Sequence, residues 1–526
     1  MKRREMLTSA LAGATVLAAP RVLRAAGQNV INFIPQSDLA SYDPVWTTAD
    51  VSRNFSLMVY DTLYAYDADF GVQPQMVEGH QISGDGKQWD ITLRDGLRFH
   101  DKSPVLAKDC VATIKRWVVR DPMGQALMAR TDEISAPSDK MIRIKLKQPF
   151  ALLPTALAQY NCAIMPERIA LTDPMKQISE PMGSGPFRYV ASERIPGSRV
   201  VCEKNTDYVP RSSGTPSFYA GPKIVYVDRV VWNVIPDAST ASAALTQGEA
   251  DWWEQPIIDL VPVLKADKNI VVTVKDKTGE IGVLRFNQLF PPFDNAAIRR
   301  VVLSAFDQKE VMEAVAGAVP SLIKTDVGLF VPGTPMASTV GVEVTRGPKD
   351  YAKIKNDLIA AGYKGEKVVV LEAQSYPAIF AEAQVATDVM KRIGLNVDPQ
   401  LSDWGTVVQR RASKQPPDHG GWNVFYTYAG GLGNISPAPN TPIRGNGANA
   451  WFGWPTDPKM EALRTDWFNA PDLAAQKKIC ADMQAQFFQN PSYVPLGMYD
   501  QPTAFRSYIQ GVPEGWPQFY NVKKTA

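Results

Sequence analysis

Between residues 182 and 253 the chain carries turns and stops in a set order, and these constrain its fold more than any other feature. Pro181-Met182-Gly183-Ser184-Gly185-Pro186-Phe187-Arg188 is a tight glycine/proline turn feeding a strand. Ala243-Ala244-Leu245-Thr246-Gln247-Gly248-Glu249-Ala250-Asp251 is a helix stopped by a C-terminal glycine and followed at once by a short strand. Strands and helices must therefore alternate through this stretch.

At 526 residues the chain is about three times a typical domain length, so more than one core is expected. Hydrophobic residues make up 45% and charged residues 21%, the balance of a globular protein. Beyond the first segment no run of about 18 apolar residues occurs, and nothing downstream is expected to span a bilayer.

Residues 1–26 read differently. Lys2-Arg3-Arg4 precede an apolar run over 6–19, then Pro20 and Ala25-Ala26, the charged, apolar and small-residue layout of an export signal. Arg3-Arg4-Glu5-Met6-Leu7 resembles a twin-arginine signal, with an ordinary Sec signal as the other reading. A periplasmic location follows from either. Removing this segment takes away five basic residues and one acid. The 56 basic and 54 acidic residues of the whole chain then become 51 and 53, a formal charge of −2 in place of +2. Near-neutrality argues against nucleic acid or an anionic membrane as the partner.

Local periodicity places the next elements. Trp89, Ile91 and Leu93 alternate with polar residues as a half-buried strand, and 141–147 alternates likewise. Ser103-Pro104 predicts a helix start, with Ala107, Cys110, Val111, Ile114, Trp117 and Val118 following at helical spacing. Strands are expected at 187–191, 199–203 and 224–235, and a helix at 238–246. A parallel strand–helix–strand unit is expected over 367–372, 378–393 and 395–400. Helices at 458–468 and 472–489 then precede a strand at 493–498.

The chemistry that would mark an enzyme is missing from the sequence. His80, His100 and His419 do not pair at metal-ligand spacing, and no metal or cofactor is expected. Cys110, Cys162, Cys202 and Cys480 form no Cys-x-x-Cys pair; an oxidising periplasm leaves three disulfide pairings open. No Gly-x-Ser-x-Gly elbow, phosphate loop or dinucleotide fingerprint occurs.

The turn at 181–188, Glu203-Lys204-Asn205-Thr206-Asp207-Tyr208 and the Gly248 stop together resemble the family 5 extracellular solute-binding proteins of ABC importers. So do Leu93-Arg94-Asp95-Gly96-Leu97-Arg98-Phe99-His100 and the run from Phe286-Asn287 through Pro291-Pro292-Phe293-Asp294. The resemblance covers about residues 30–520. It implies an α/β, two-lobe periplasmic-binding-protein-like fold, type II in its large three-subdomain variant, with a ligand cleft between lobes. The implied organisation is a discontinuous lobe I (27–62, 182–277 and 495–526), a subdomain inserted in it (63–181), and lobe II (278–494). It also implies a carrier, expected as a monomer, that captures a peptide-like or small polar organic solute and delivers it to an ABC permease. The same role for an opine, oligosaccharide or metal chelate, and a periplasmic hydrolase on the same fold, are the alternatives.

The ligand site is expected around the glycine- and aromatic-rich run 420–434. Alternation puts Trp422, Val424, Tyr426 and Tyr428 on one face of a strand and Asn423, Phe425 and Thr427 on the other. Peptide-binding relatives carry an aspartate after this strand that pairs with the ligand's free amine, whereas 429–434 holds no acid. The candidate ligand-binding residues are Tyr42, Trp46, Trp404, Trp422, Asn423, Tyr426, Tyr428 and Asn434. The aromatic members would stack on the ligand or offer hydroxyls to it. Trp451-Phe452-Gly453-Trp454-Pro455 reads equally as a lid and as a packed surface loop.

Overall fold

The computed structural model describes residues 29–470 and 472–525. The export signal expected over 1–26 lies outside the described residues. Three larger sheets organise the chain. The first has seven strands in the order Ile270–Val274, Pro502–Arg506, Trp252–Trp253, Val30–Ile34, Arg229–Asn233, Arg199–Lys204 and Phe187–Tyr189. The second has six, in the order Ile323–Lys324, Tyr493–Tyr499, Glu280–Phe286, Val424–Gly430, Lys367–Ala373 and Asn396–Ser402. A four-stranded antiparallel sheet runs Val77–Ile82, Gln88–Leu93, Met141–Leu146 and Thr131–Ser138.

The stretch from 182 to 253 owes its turn to close backbone approach. A Cβ on Gly183 would lie 2.1 Å from the Val59 carbonyl oxygen, and one on Gly185 would lie 2.5 Å from that of Met58. Only glycine fits either place. His100 ties the same turn down: its backbone N–H donates to the Gly183 carbonyl at 2.9 Å, and its Nε2 lies 3.1 Å from the Gly185 carbonyl oxygen. Burial pushes the imidazole down to about 4, so it stays neutral. The helix Ala238–Gln247 stops at Gly248, whose φ of 78° is left-handed.

Several boundaries differ from the sequence-based expectation. The helix expected from Ser103-Pro104 starts at Ala107. The Ser103 hydroxyl turns back to Asp101, and Asp109 instead accepts the Leu106 and Glu167 N–H groups at 2.8 Å each. The strand expected over 224–235 is paired only at Arg229–Asn233, because Ile224 and Tyr226 face solvent. The return to the first lobe, expected at 495, falls inside Tyr493–Tyr499, an inner strand of the second sheet. Pro495 is tolerated there because the pairing with Glu280–Phe286 slips between Ile281 and Val283. The chain therefore crosses between Val274 and Glu280, and again between Tyr499 and Pro502.

All four cysteines are buried and free. Burial pushes their thiols up, which suits core packing rather than reactivity. Among the described residues no helix is long and apolar enough to cross a membrane.

Candidate ligand-binding site

Two adjoining cavities lie between loops of the seven- and six-stranded sheets and the segment that carries Trp117, Asp121 and Asn161. The smaller, of about 130 Å³, touches Asp50, Arg53, Tyr160, Tyr428 and Gly430. The larger, of about 350 Å³, touches Trp46, Arg120, Lys414, Arg444 and Trp454. Thr48, Asp121, Asn161, Thr441 and Trp451 border both, so the two form one slot.

Helix Asp50–Val59 supplies the floor. Asp50 and Arg53, three residues apart on it, face the same way and pair at 2.8 Å. The Arg53 guanidinium lies 4.1 Å from the Trp516 ring centroid, within cation–π range. Glu280 reaches the same place from its strand, directly opposite Gly430 in the antiparallel register. A Cβ on Gly430 would stand 3.6 Å from Glu280 Oε2 and 3.8 Å from Arg53 Nη1. Among the described residues Glu280 Oε2 and Asp50 Oδ2 have no hydrogen-bond partner. Burial, then the Asp50 charge, holds the Glu280 carboxyl well above the usual range. Burial also raises Asp50, against the pull of Arg53. Glu254 completes the cluster, accepting the Gln36 N–H at 2.8 Å and the Asn54 Nδ2 at 2.5 Å. Burial pushes it up to about 7. Three carboxyls thus lie around one guanidinium, and burial raises all three.

Beside the floor the two lobes touch directly. The Tyr376 and Tyr428 hydroxyls are 2.8 Å apart, and they lie 2.8 and 2.7 Å from Gln36 Oε1. Gln36 follows the first-lobe strand Val30–Ile34, while both tyrosines belong to the second lobe.

Residues 71–444 match the bacterial extracellular solute-binding proteins, family 5. The chain belongs to that family. It is 35% identical over 531 residues to the probable peptide ABC transporter periplasmic-binding protein y4tO of Sinorhizobium fredii, covering 100% of this chain and 99% of that one. The fold resembles AgaA of A. tumefaciens R10, solved with agropinic acid, at a TM-score of 0.76 and 20% identity, covering 94% and 99% of the two chains. It also resembles a dipeptide-binding protein from Pseudoalteromonas sp. SM9913, solved with Met-Leu, at a TM-score of 0.77 and 19% identity, covering 94% and 100%.

In this solute-binding protein three of the eight sequence-based candidates reach the slot. Tyr428 and Asn434 border the smaller cavity, and Trp46 borders the larger. Trp404 stands behind the slot, edge-on to Tyr376. Tyr42 packs on Phe55 and Tyr189 inside the first lobe. Trp422, Asn423 and Tyr426 are fully buried and do not border either cavity. Trp422 precedes the strand and packs on Phe425 and Trp454. Asn423 accepts the Val369 N–H at 2.9 Å and donates to the Pro291 carbonyl at 3.0 Å. Tyr426 points under helix Pro377–Arg392, 3.1 Å from the Thr387 hydroxyl. The strand is central and covered by that helix, so its side chains meet the slot only from Tyr428 onward.

Missed from the sequence were Asp50, Arg53 and Glu280, whereas Glu254, directly after Trp252-Trp253, was legible there as an anion candidate. Glu280 opens a strand that is apolar apart from Arg285, and Asp50 and Arg53 share a helix face with buried residues. That placement of charge was the available signal. Residues 429–434 hold no acid, and Glu280 on the neighbouring strand stands opposite Gly430 in the register. Among the described residues no group of three His, Cys, Asp or Glu is arranged to hold a metal ion.

Proposed function

We propose that this protein is the periplasmic receptor of an ABC importer. It captures a peptide-like or other small polar organic solute by closure of the two lobes and hands it to a membrane permease. The observation that carries this reading is the charged, aromatic-walled slot between lobes that meet through Gln36, Tyr376 and Tyr428. A ligand touching both lobes favours the closed form by its differential contacts, which is what a carrier needs. Concave sites at domain boundaries suit such ligands.

Native mass spectrometry of the mature protein, followed by thermal-shift screening of peptides, opines and sugars, tests the reading. Stoichiometric binding with no turnover is expected. Conversion of a bound solute to product would replace the carrier with a hydrolase. A second reading keeps the carrier role for a non-peptide solute such as an opine; the missing acid at 429–434 supports it.

A further inference from the structure

The first-lobe sheet ends on an open edge. Ile270–Val274 pairs with Pro502–Arg506 on one side and, among the described residues, with no strand on the other. Such an edge presents unpaired N–H and C=O groups in a row, and proteins normally blunt it with proline, charge, a slip in register or shortness. The other edges of this molecule are blunted in these ways. Asn396–Ser402 contains Asp398 and Pro399. Thr131–Ser138 contains Pro137 and two slips in register, and Val77–Ile82 has one between Val77 and Gly79. Phe187–Tyr189 and Ile323–Lys324 are three and two residues long, and the strands of the two-stranded sheets are no longer than three. Ile270-Val271-Val272-Thr273-Val274 has none of these devices. It is five uncharged, β-favouring residues in unbroken register.

The pairing also fixes which backbone groups face the open side. The Ser507 N–H donates to the Asn269 carbonyl at 2.8 Å, and the register then sets Val271 against Phe505 and Thr273 against Thr503. Opposed residues in an antiparallel pair alternate between bonded and unbonded. Asn269, Val271 and Thr273 therefore bond inward, and the groups of Ile270, Val272 and Val274 point outward. Pro502, which has no N–H, stands opposite Val274, as this alternation requires. The Ile270 N–H is taken by the Asp267 carbonyl at 3.0 Å. The Ile270 carbonyl, both groups of Val272 and the Val274 N–H remain for another strand.

This edge is complementary to itself. Two copies run antiparallel about a two-fold axis at Val272 pair all five residues, with Val272 on Val272, Ile270 on Val274 and Val271 on Thr273. The outward groups then meet. Each Val272 exchanges both bonds with its equivalent, and each Val274 N–H reaches the other copy's Ile270 carbonyl. Continued past the strand ends, the same count sets Asp267 against Lys277 and Lys268 against Asp276, opposite signs each time. An axis at Val271 would pair fewer residues and set Lys265 against Lys277. Val271 itself and Val263, on the helix Val261–Ala266 packed against this strand, are exposed apolar side chains beside the edge.

We infer that the protein forms a two-fold dimer, in place of the expected monomer, by pairing Ile270–Val274 with its equivalent in a second copy. None of the five residues borders either cavity, so the slot stays free and the inference does not depend on what it binds. One short strand pair buries less than a stable interface does, so a Kd of ~10–100 µM is expected.

Sedimentation velocity and light scattering of the mature protein at ~1 and ~200 µM test this. The mass should move from one copy toward two over that range. Hydrogen exchange of the peptide spanning 270–274 should slow at least ~3-fold at the higher concentration. Val272→Pro removes a donor that its own sheet does not use, and it should weaken association at least ~10-fold. Val271→Lys, at an exposed side chain, should do the same without proline's constraint on the backbone. A single copy at both concentrations overturns the inference. So does a dimer that survives both substitutions with exchange over 270–274 unchanged, because the contact would then lie elsewhere. Protection of this strand only on adding inner-membrane vesicles that carry the permease also overturns it, and gives the edge to the transporter.

Discussion

Glu280 and Gly430 stand opposite each other on adjacent antiparallel strands, and the bare glycine leaves Glu280 Oε2 without a partner among the described residues. The space between them opens on the smaller cavity through Gly430. A ligand ammonium placed there would meet Asp50 and favour the ionised form of Glu280, and the two carboxylates together would compensate its desolvation. The expected outcome is that alanyl-alanine binds at least ~10-fold more tightly than its N-acetyl form, about 1.4 kcal/mol. Glu280→Gln should shrink that preference. Calorimetry at pH 7 measures both, and equal affinity for the free and acetylated forms would remove Glu280 from amine recognition.

Glu254 makes stability depend on pH. Its carboxyl is raised from an ordinary 4.5 to about 7 by burial, so the folded state binds this proton more tightly than the unfolded chain does. Its contribution is therefore fully present below pH ~4.5 and is lost as pH rises toward 7. The ligand-free protein should melt at lower temperature at pH 8 than at pH 5, with Glu254 supplying up to ~3 kcal/mol of the change. Glu254→Gln should flatten the slope of Tm against pH, although it gives up one of the bonds from Gln36 and Asn54. An unchanged slope in the variant would assign the effect elsewhere, with Glu280 and Asp50 the next candidates.

The contrast between what was legible in the sequence and what was not follows from distance along the chain. The unit Lys367–Ala373, Pro377–Arg392 and Asn396–Ser402 was readable because apolar runs, a helical period and Gly394 all act locally. The alternation over 422–428 says which residues share a face. It does not say that helix Pro377–Arg392 covers Tyr426 or that Trp422 turns onto Phe425 and Trp454, and this is why both were expected in the site and lie in the core. The floor is non-local in a stronger sense. Asp50, Glu254 and Glu280 come from three separate elements, and no short window of sequence contains two of them.

The turn at Gly183 and Gly185 makes a prediction about scaffold alone. Alanine at either site drives a Cβ into the carbonyl oxygens of Val59 or Met58, and backbone cannot yield as a flexible side chain can. Gly183→Ala, the tighter of the two, should cost at least ~3 kcal/mol of unfolding free energy in urea titrations. Ligand affinity of the remaining folded protein should stay within twofold of the parent. A large loss of affinity with little loss of stability would place this turn in the binding mechanism instead.

The hydroxyls of Tyr376 and Tyr428 lead to a prediction about closure. Tyr376 caps the start of a second-lobe helix, yet its hydroxyl meets Gln36 of the first lobe and accompanies Gln255 from the same side. These bonds exist only while the lobes are together, so removing them weakens the closed form without changing the open one. Tyr376→Phe and Tyr428→Phe should each cost the closed state ~0.5–1.5 kcal/mol. Because affinity scales with the population of the binding-competent form, Kd should rise ~2–10-fold in each variant. The two hydroxyls also bond each other, so the double variant should fall short of additivity by ~0.5 kcal/mol or more. Small-angle scattering of the ligand-free variants should register a larger radius of gyration than the parent's. If affinity and radius both stay at parental values, the tyrosine pair packs the seam but does not hold it shut.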